Sequence, residues 1–334
     1  MFNKNFDFVA IGDTTIDAFI RIKEASVNCD IRRDNCKICF DFGNKIPYES
    51  VTVVPAVGNS ANAAVAAARL GLKSGFVGNI GADENGKDCL RALKKNNVYT
   101  GFVKSHKEKN TNYHYVLWYE DERTILIKHE EFPYSFPHIG SPKWIYLSSL
   151  SENSLSFHQE IENYLEYHPE INLAFQPGTF QMKLGKEKLA GLYRKTKVFI
   201  CNLQEAQRIL GSKEEKALDL MRMLSLLGPK VVVVTDGPKG AYAYDSESEA
   251  AWFMPVYPDP NPPFERTGAG DAFSSTFVAA LAMGKTIEDA LLMAPVNSMS
   301  VVQKIGAQEG LLTLSELEDY LNQAPEDYRP RRIN

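Results

Sequence analysis

Nothing in the 334-residue sequence has the length of a membrane span: apolar runs such as residues 63–68 end far short of the roughly 20 residues that cross a bilayer. Residues 1–8 carry charge and asparagine where a secretory leader has an apolar stretch of about 7 or more, so a cytoplasmic protein is expected. Basic excess is missing too. The 37 Lys and Arg face 42 Asp and Glu, for a net charge of -5, the opposite of what neutralises a phosphate backbone, which disfavours nucleic acid as a partner. Cysteine is scarce at five residues, an odd number that suits free thiols in a reducing compartment. Internal repeats are absent, and 44% hydrophobic with 24% charged residues excludes a disordered or collagenous chain. At roughly 150 residues per domain, the length points to two domains or one large α/β domain with an appendage.

What the sequence does contain is an alternation. Residues 8–11 form a continuous apolar run ending in Gly12-Asp13, as a buried strand of a parallel sheet would. The alanine-rich stretch 60–70, closed by Gly71, predicts a helix. A strand at 75–80, a helix at 84–95 and a hairpin pairing 113–118 with 124–127 follow. From residue 143 the order is regular: strands at 144–147, 172–175, 198–201 and 231–234 alternate with helices at 155–167, 186–193, 206–210 and 217–227. A further hairpin is expected within 242–254, then closing helices at 272–283 and 287–304. Such alternation builds an α/β fold with a doubly wound, mostly parallel sheet flanked by helices. Residues 19–55 break the pattern and predict a small β excursion. The core is then 1–18 and 56–334, with 101–130 contributing strands to the excursion.

The most informative stretch is Thr267-Gly268-Ala269-Gly270-Asp271-Ala272-Phe273. Two glycines let the backbone approach a ligand just before a helix whose free N–H groups favour an anion. Asp271 puts a repelling carboxylate where a phosphate should sit, which suits a general base beside a transferring phosphoryl group. The plain alternative is a carboxylate that caps the helix.

Gly268-Ala269-Gly270-Asp271 resembles the C-terminal signature of the ribokinase-like (PfkB) carbohydrate kinases, and four further matches follow the order of that family. Gly12-Asp13-Thr14-Thr15-Ile16-Asp17 resembles its opening strand, whose last Asp holds sugar hydroxyls. Gly58-Asn59-Ser60-Ala61-Asn62-Ala63-Ala64 resembles the N-terminal signature. Asn202-Leu203-Gln204-Glu205 is similar to its Asn-x-x-Glu element, and Thr235-Asp236-Gly237-Pro238-Lys239-Gly240 to its nucleotide loop. The resemblance implies a ribokinase-like fold and an ATP-dependent kinase acting on a hydroxyl of a sugar or sugar-like substrate. Asp17, Gly58, Asn59 and Asn62 would hold the acceptor. Asp271 would be the base, with the amides of Gly268, Ala269 and Gly270 on the transferring group. Asn202 and Glu205 would act near Mg²⁺ through water, Thr235, Gly237 and Gly240 on ATP, and Asn297 in the stretch that flanks adenine. Residues 19–55 would be a lid that excludes water, and pairing of lids would make a homodimer. A nucleoside such as adenosine is the alternative acceptor, and a non-catalytic sugar or nucleotide sensor the alternative of another class.

The residue types agree with that division, since carboxylates and amides match groups that both donate and accept. Plain structural readings stand beside it: Asp17 as a turn residue, Asn62 as a satisfied helix residue, Glu205 as a first-turn acid. Two departures stand out. Val57-Gly58 replaces the family's usual glycine pair, which bears on hinge motion, and Glu265-Arg266 replaces its common Asp-Thr, which leaves a monovalent cation open. Gly81 to Lys87 has the spacing of a P-loop, but Asp88 replaces the Ser or Thr that ligates magnesium, so a turn and helix start are expected. No dinucleotide Gly-x-Gly-x-x-Gly follows the first strand. In the excursion, Cys29, Cys36 and Cys39 either ligate zinc with a fourth group or pack as free thiols. Arg32 and Arg33 either bind a substrate phosphate or are solvated. Phe40, Phe42, Tyr48, Tyr113, Tyr115 and Trp118 either form lid core or stack on a base.

Overall fold

A computed structural model describes residues 5–30, 36–120 and 122–334; Arg32 and Arg33 lie outside them. Strand β1 (Phe8–Ile11) is wholly buried, as its unbroken apolar run requires. The chain leaves it through β2 (Thr15–Ile22), the short pair β3 (Ser26–Asn28) and β4 (Lys37–Cys39), and β5 (Tyr48–Val57). It returns through α1 (Asn59–Arg69), β6 (Ser74–Gly81), α2 (Glu84–Lys95) and β7 (Tyr99–His106), then departs again in β8 (Asn112–Tyr119) and β9 (Glu122–Leu126). The regular half runs β10 (Trp144–Leu147), α3 (Leu155–Tyr167), β11 (Asn172–Phe175), α4 (Thr179–Leu184), α5 (Ala190–Lys195), β12 (Thr196–Asn202), α6 (Leu203–Leu210), α7 (Ala217–Ser225) and β13 (Val231–Thr235). The hairpin β14 (Ala241–Asp245) and β15 (Ala251–Met254), helices α8 (Ala269–Ala282), α9 (Ile287–Val301) and α10 (Leu314–Asn322), and β16 (Arg331–Arg332) follow.

The large sheet has the order β16-β15-β14-β13-β12-β11-β10-β1-β6-β7. Pairing is parallel from β7 through β13 and antiparallel beyond it. Helices cover both faces: Phe8 and Ala10 of β1 pack with α1, α8 and α9, while Val9 and Ile11 pack with α3, α5 and α7. Burial on both faces is why these strands carry no polar alternation. The chain winds outward from β1 in one direction to β6 and β7, and in the other to β10 and beyond. That reversal opens a crevice at the carboxyl ends of β1 and β10, where open α/β sheets bind ligands.

A second sheet, β5-β2-β8-β9, stands over this edge. Its β2 pairs antiparallel with β5 and parallel with β8, so the excursion and the later hairpin join as expected. It begins at Thr15, inside the stretch 1–18 assigned to the core from sequence. Residues 101–106, expected among its strands, belong instead to β7, because the β6-α2-β7 crossover returns that strand beside β6. By register, Val53, Ala18, Tyr115 and Leu126 share the outer face with Val51 and Leu117, whereas Asp17, Phe19, His114 and Val116 face inward. Cys29 and Cys36 are joined by a disulfide, which corrects the expectation of free thiols. It also leaves only Cys39 of the three as a free thiol, too few for the zinc set, and no trio of His, Cys, Asp or Glu side chains suited to a metal converges among the described residues. Asp83 caps α2 through Gly86 N at 2.8 Å, so the P-loop-like spacing is a turn and helix start. Among the described residues no helix is long and apolar enough to cross a membrane.

Candidate active site

Helix α8 begins at the crevice. Gly268 enters it at φ 80°, and a Cβ there would lie 2.3 Å from that of Ala307. A Cβ on Gly270 would meet no atom within 4 Å, so the first turn faces open space, as an anion cradle must. Asp271 makes no cap. Its Oδ1 accepts from Asn59 Nδ2 at 2.9 Å and its Oδ2 from Asn62 Nδ2 at 2.8 Å, with Gln176 Nε2 at 3.5 Å from Oδ1. Burial pushes the Asp271 carboxyl up from its ordinary range, the three amides pull it down, and the charge of Glu205 adds to the rise; the net direction is upward. A half-buried carboxylate held by amide donors is oriented, and with its carboxyl raised it is more basic than a free one, which a proton acceptor needs.

Local sequence explains how the amides arrive. Gly58 precedes α1 at φ 112°, where a Cβ would come 2.9 Å from Asp13 O, so the single glycine is required. Ser60 Oγ donates to Ile11 O at 2.7 Å, pinning α1 to the end of β1. Asn62 is anchored in turn, its Oδ1 accepting from Gln308 Nε2 at 2.9 Å, and Arg69 Nη1 donates to Gln308 O at 2.8 Å. The Tyr146 hydroxyl donates to Gln176 Oε1, which turns the Gln176 amide nitrogen toward Asp271. Asn59 and Asn62, expected on the acceptor, thus donate to Asp271. Gln176, Gln308 and Tyr146 were not foreseen.

In the second sheet, Asp17 lies within β2 rather than in a turn and is directly opposite His114 of β8. Both are buried, 8% and 9% exposed, with His114 Nδ1 3.3 Å from Asp17 Oδ1. The His129 ring stands 5.0 Å from that of His114 and meets the Phe180 ring edge-on at 5.8 Å. Burial, then the neighbouring His114, push His129 down to about 4. Neither histidine was singled out from sequence.

The nucleotide-side motifs gather at the ends of β12 and β13, where Asn202 pairs with Thr235. Asn202 Oδ1 accepts from Glu205 N at 2.8 Å and Glu205 Oε2 from Asn202 N at 2.9 Å, a reciprocal cap of α6. Burial raises the Glu205 carboxyl. Gly237 has φ 52° with open space beyond it, whereas a Cβ on Gly240 would strike Met254 O at 2.4 Å. Asn297 corrects its expectation: it is fully buried, its Nδ2 donating to Thr276 Oγ1 at 2.8 Å and its Oδ1 accepting from Leu312 N at 2.9 Å. It ties α9 to α8 and to the chain before α10, with both amide groups bonded inside the protein. Glu265, 5% exposed, accepts from Arg123 Nη1 at 3.2 Å, from Thr267 N at 2.8 Å and from Gly306 N at 3.0 Å.

Residues 22–314 match the family model described as pfkB family carbohydrate kinase. The chain is 29% identical over 291 residues to a ribokinase of Bacillus subtilis, covering 84% of this chain and 92% of that one. It is 25% identical over 320 residues to a 5-dehydro-2-deoxygluconokinase of the same organism, covering 85% and 94%. Among solved structures, the ribokinase of Arabidopsis thaliana complexed with ribose and ATP superposes with a TM-score of 0.78 at 21% identity, covering 95% of this chain and 99% of that one.

Proposed function

The chain belongs to the pfkB family of carbohydrate kinases and is an ATP-dependent sugar kinase, and from that premise we propose how its residues divide the work. Asp271 takes the proton of the acceptor hydroxyl as its oxygen attacks the γ-phosphate. Asn59, Asn62 and Gln176 aim the carboxylate, and Asp17 positions the acceptor. The amides of Gly268, Ala269 and Gly270, at the start of a 14-residue helix, stabilise charge on the transferring group. Thr235, Gly237 and the Asn202 turn hold the nucleotide. The observation that carries the reading is the triple amide grip on Asp271 beside the open first turn of α8.

A magnesium ion fits the donor set. Glu205 and Asp271 are close enough to raise the Asp271 carboxyl, and the few protein oxygens there suit a cation held mainly by water and phosphate. When bound, Mg²⁺ screens the charge of the phosphates; Glu205 and Asn202 would hold it through water. Glu265 already receives the Arg123 guanidinium, which supports activity independent of a monovalent cation. The second sheet is the lid over the acceptor, excluding water that would otherwise attack ATP. The proposal extends to a cytoplasmic homodimer closed through the lids: use of ATP supports the location, and the apolar outer lid face supports the dimer.

ADP release tests this reading. It should rise well above background when ribose, fructose or a related sugar is added with ATP and Mg²⁺. Equal release with and without every acceptor would contradict it.

A further inference from the structure

We infer that His114 and His129, together with Asp17, read the hydroxyls of the acceptor, and that the acceptor is an uncharged polyol or sugar rather than a sugar acid or sugar phosphate. This deepens the acceptor reading above and rests on it. Among the described residues, the buried side-chain atoms lacking any hydrogen-bond partner are Asp17 Oδ1, His114 Nε2 and His129 Nδ1. All three fall in one cluster, joined by the 3.3 Å approach of His114 to Asp17 and the 5.0 Å approach of the two imidazole rings. Native proteins rarely leave such atoms unpaired, so three together mark a place that a polar ligand completes.

The cluster adjoins the base from two directions. Strand β2 pairs with β5, which runs directly into Gly58 and Asn59, and Asn59 reaches Asp271. On the other side Gln176 reaches Asp271, and four residues later Phe180 packs its ring against His129. Asp17 and His114 share the inner face of the lid sheet, so closing the lid brings them toward the same cleft.

The chemistry selects the ligand. A hydroxyl both donates and accepts, and matches a carboxylate oxygen or a single imidazole nitrogen equally well. A carboxylate or phosphate would meet Asp17 and Asp271 as like charges, and His129, kept neutral by burial at pH 7, offers it no charge in return. His114 turns Nδ1 toward Asp17, so Nε2 is the atom it presents to the ligand.

The two orphaned imidazole nitrogens differ, Nε2 in His114 and Nδ1 in His129, which makes the test specific. The amide of Gln reaches the position of Nε2 and that of Asn the position of Nδ1. With ATP saturating and the best neutral acceptor, His114→Ala and His129→Ala should each raise acceptor KM about tenfold, the scale of one lost buried hydrogen bond, and leave ATP KM within about twofold. His114→Gln and His129→Asn should restore KM to within about threefold, while His114→Asn and His129→Gln should not. A merely structural pair would not separate Gln from Asn in opposite senses at the two sites. Unchanged acceptor KM in the alanine variants overturns the inference. Should those variants not fold, a reversed or equal Gln and Asn order overturns it instead. In the unmutated protein, ribose, fructose or inositol should be preferred to gluconate and fructose 6-phosphate; the opposite preference overturns the substrate class. ADP release with none of these would bring down the transfer reading itself, and this inference with it.

Discussion

Asp13 is withdrawn from water and Asp271 half-buried, and their neighbours decide what each becomes. Asp271 is held by three amide donors. Asp13, 6% exposed, has the Tyr134 hydroxyl at 2.7 and 2.8 Å from its two oxygens; burial outweighs that hydroxyl and the Ser151 backbone N–H and pushes the carboxyl up to about 7. The folded state therefore binds a proton that the unfolded chain, with its ordinary carboxyl near 3.8, has already released. This contribution to stability is fully present below about pH 4 and is lost as pH rises through about 7, a change on the order of 4 kcal/mol. Asn in place of Asp13 keeps the acceptor for Tyr134 but cannot ionise. Urea unfolding at pH 5 and pH 8 should find the unmutated protein losing clearly more stability across that range than Asp13→Asn. Equal losses would contradict the assignment.

Between elements, the feature that matters most is the tether from the lid to the entry of α8. Arg123 of β9 reaches Glu265, whose carboxylate also holds Thr267 N and Gly306 N, and Trp118 of β8 packs edge-on against Phe264 at 5.1 Å. Replacing Arg123 by Leu strips a buried carboxylate of its cation, although the guanidinium is 30% exposed and its loss is softened by water. A double-mutant cycle of Arg123→Leu with Glu265→Gln should return a coupling of about 1–2 kcal/mol; additive losses would mean no tether. The contrast between what the sequence predicts and what it hides is set by range. Helices α2 and α3 and strands β10 and β11 lie on the predicted residues because caps and apolar runs are local. Strand β7 was expected in the second sheet rather than beside β6 because, as a half-buried edge strand, it lacks the continuous apolar run that marks the core strands. Helix α1 starts where Gly58 permits, one residue before the alanine-rich run. Asp271 and its flanking glycines were legible because their place at the start of α8 is set by adjacent residues, although the groups that hold the carboxylate are distant. Asn59, Gln176 and Gln308 act across 212, 95 and 246 positions, and His114 meets Asp17 only once the β2–β8 register exists.

At the scale of the whole molecule, the outer lid face carries Val51, Val53, Tyr115 and Leu126, all exposed. A face of that kind on a sheet with free edges suits cover by a second copy, the dimer proposed above. Light scattering should give a mass near twice 37.4 kDa, and Val53→Glu should lower it to one chain; a monomeric unmutated protein at micromolar concentration would contradict this. The proposed phosphoryl transfer depends on one carboxylate, Asp271, as the proton acceptor. Asp271→Asn nearly preserves shape and replaces the basic carboxylate by a non-basic amide, so kcat on the best acceptor should fall by about 10²–10⁴ while acceptor and ATP affinity largely survive. A kcat for Asp271→Asn close to that of the unmutated enzyme would contradict the mechanism.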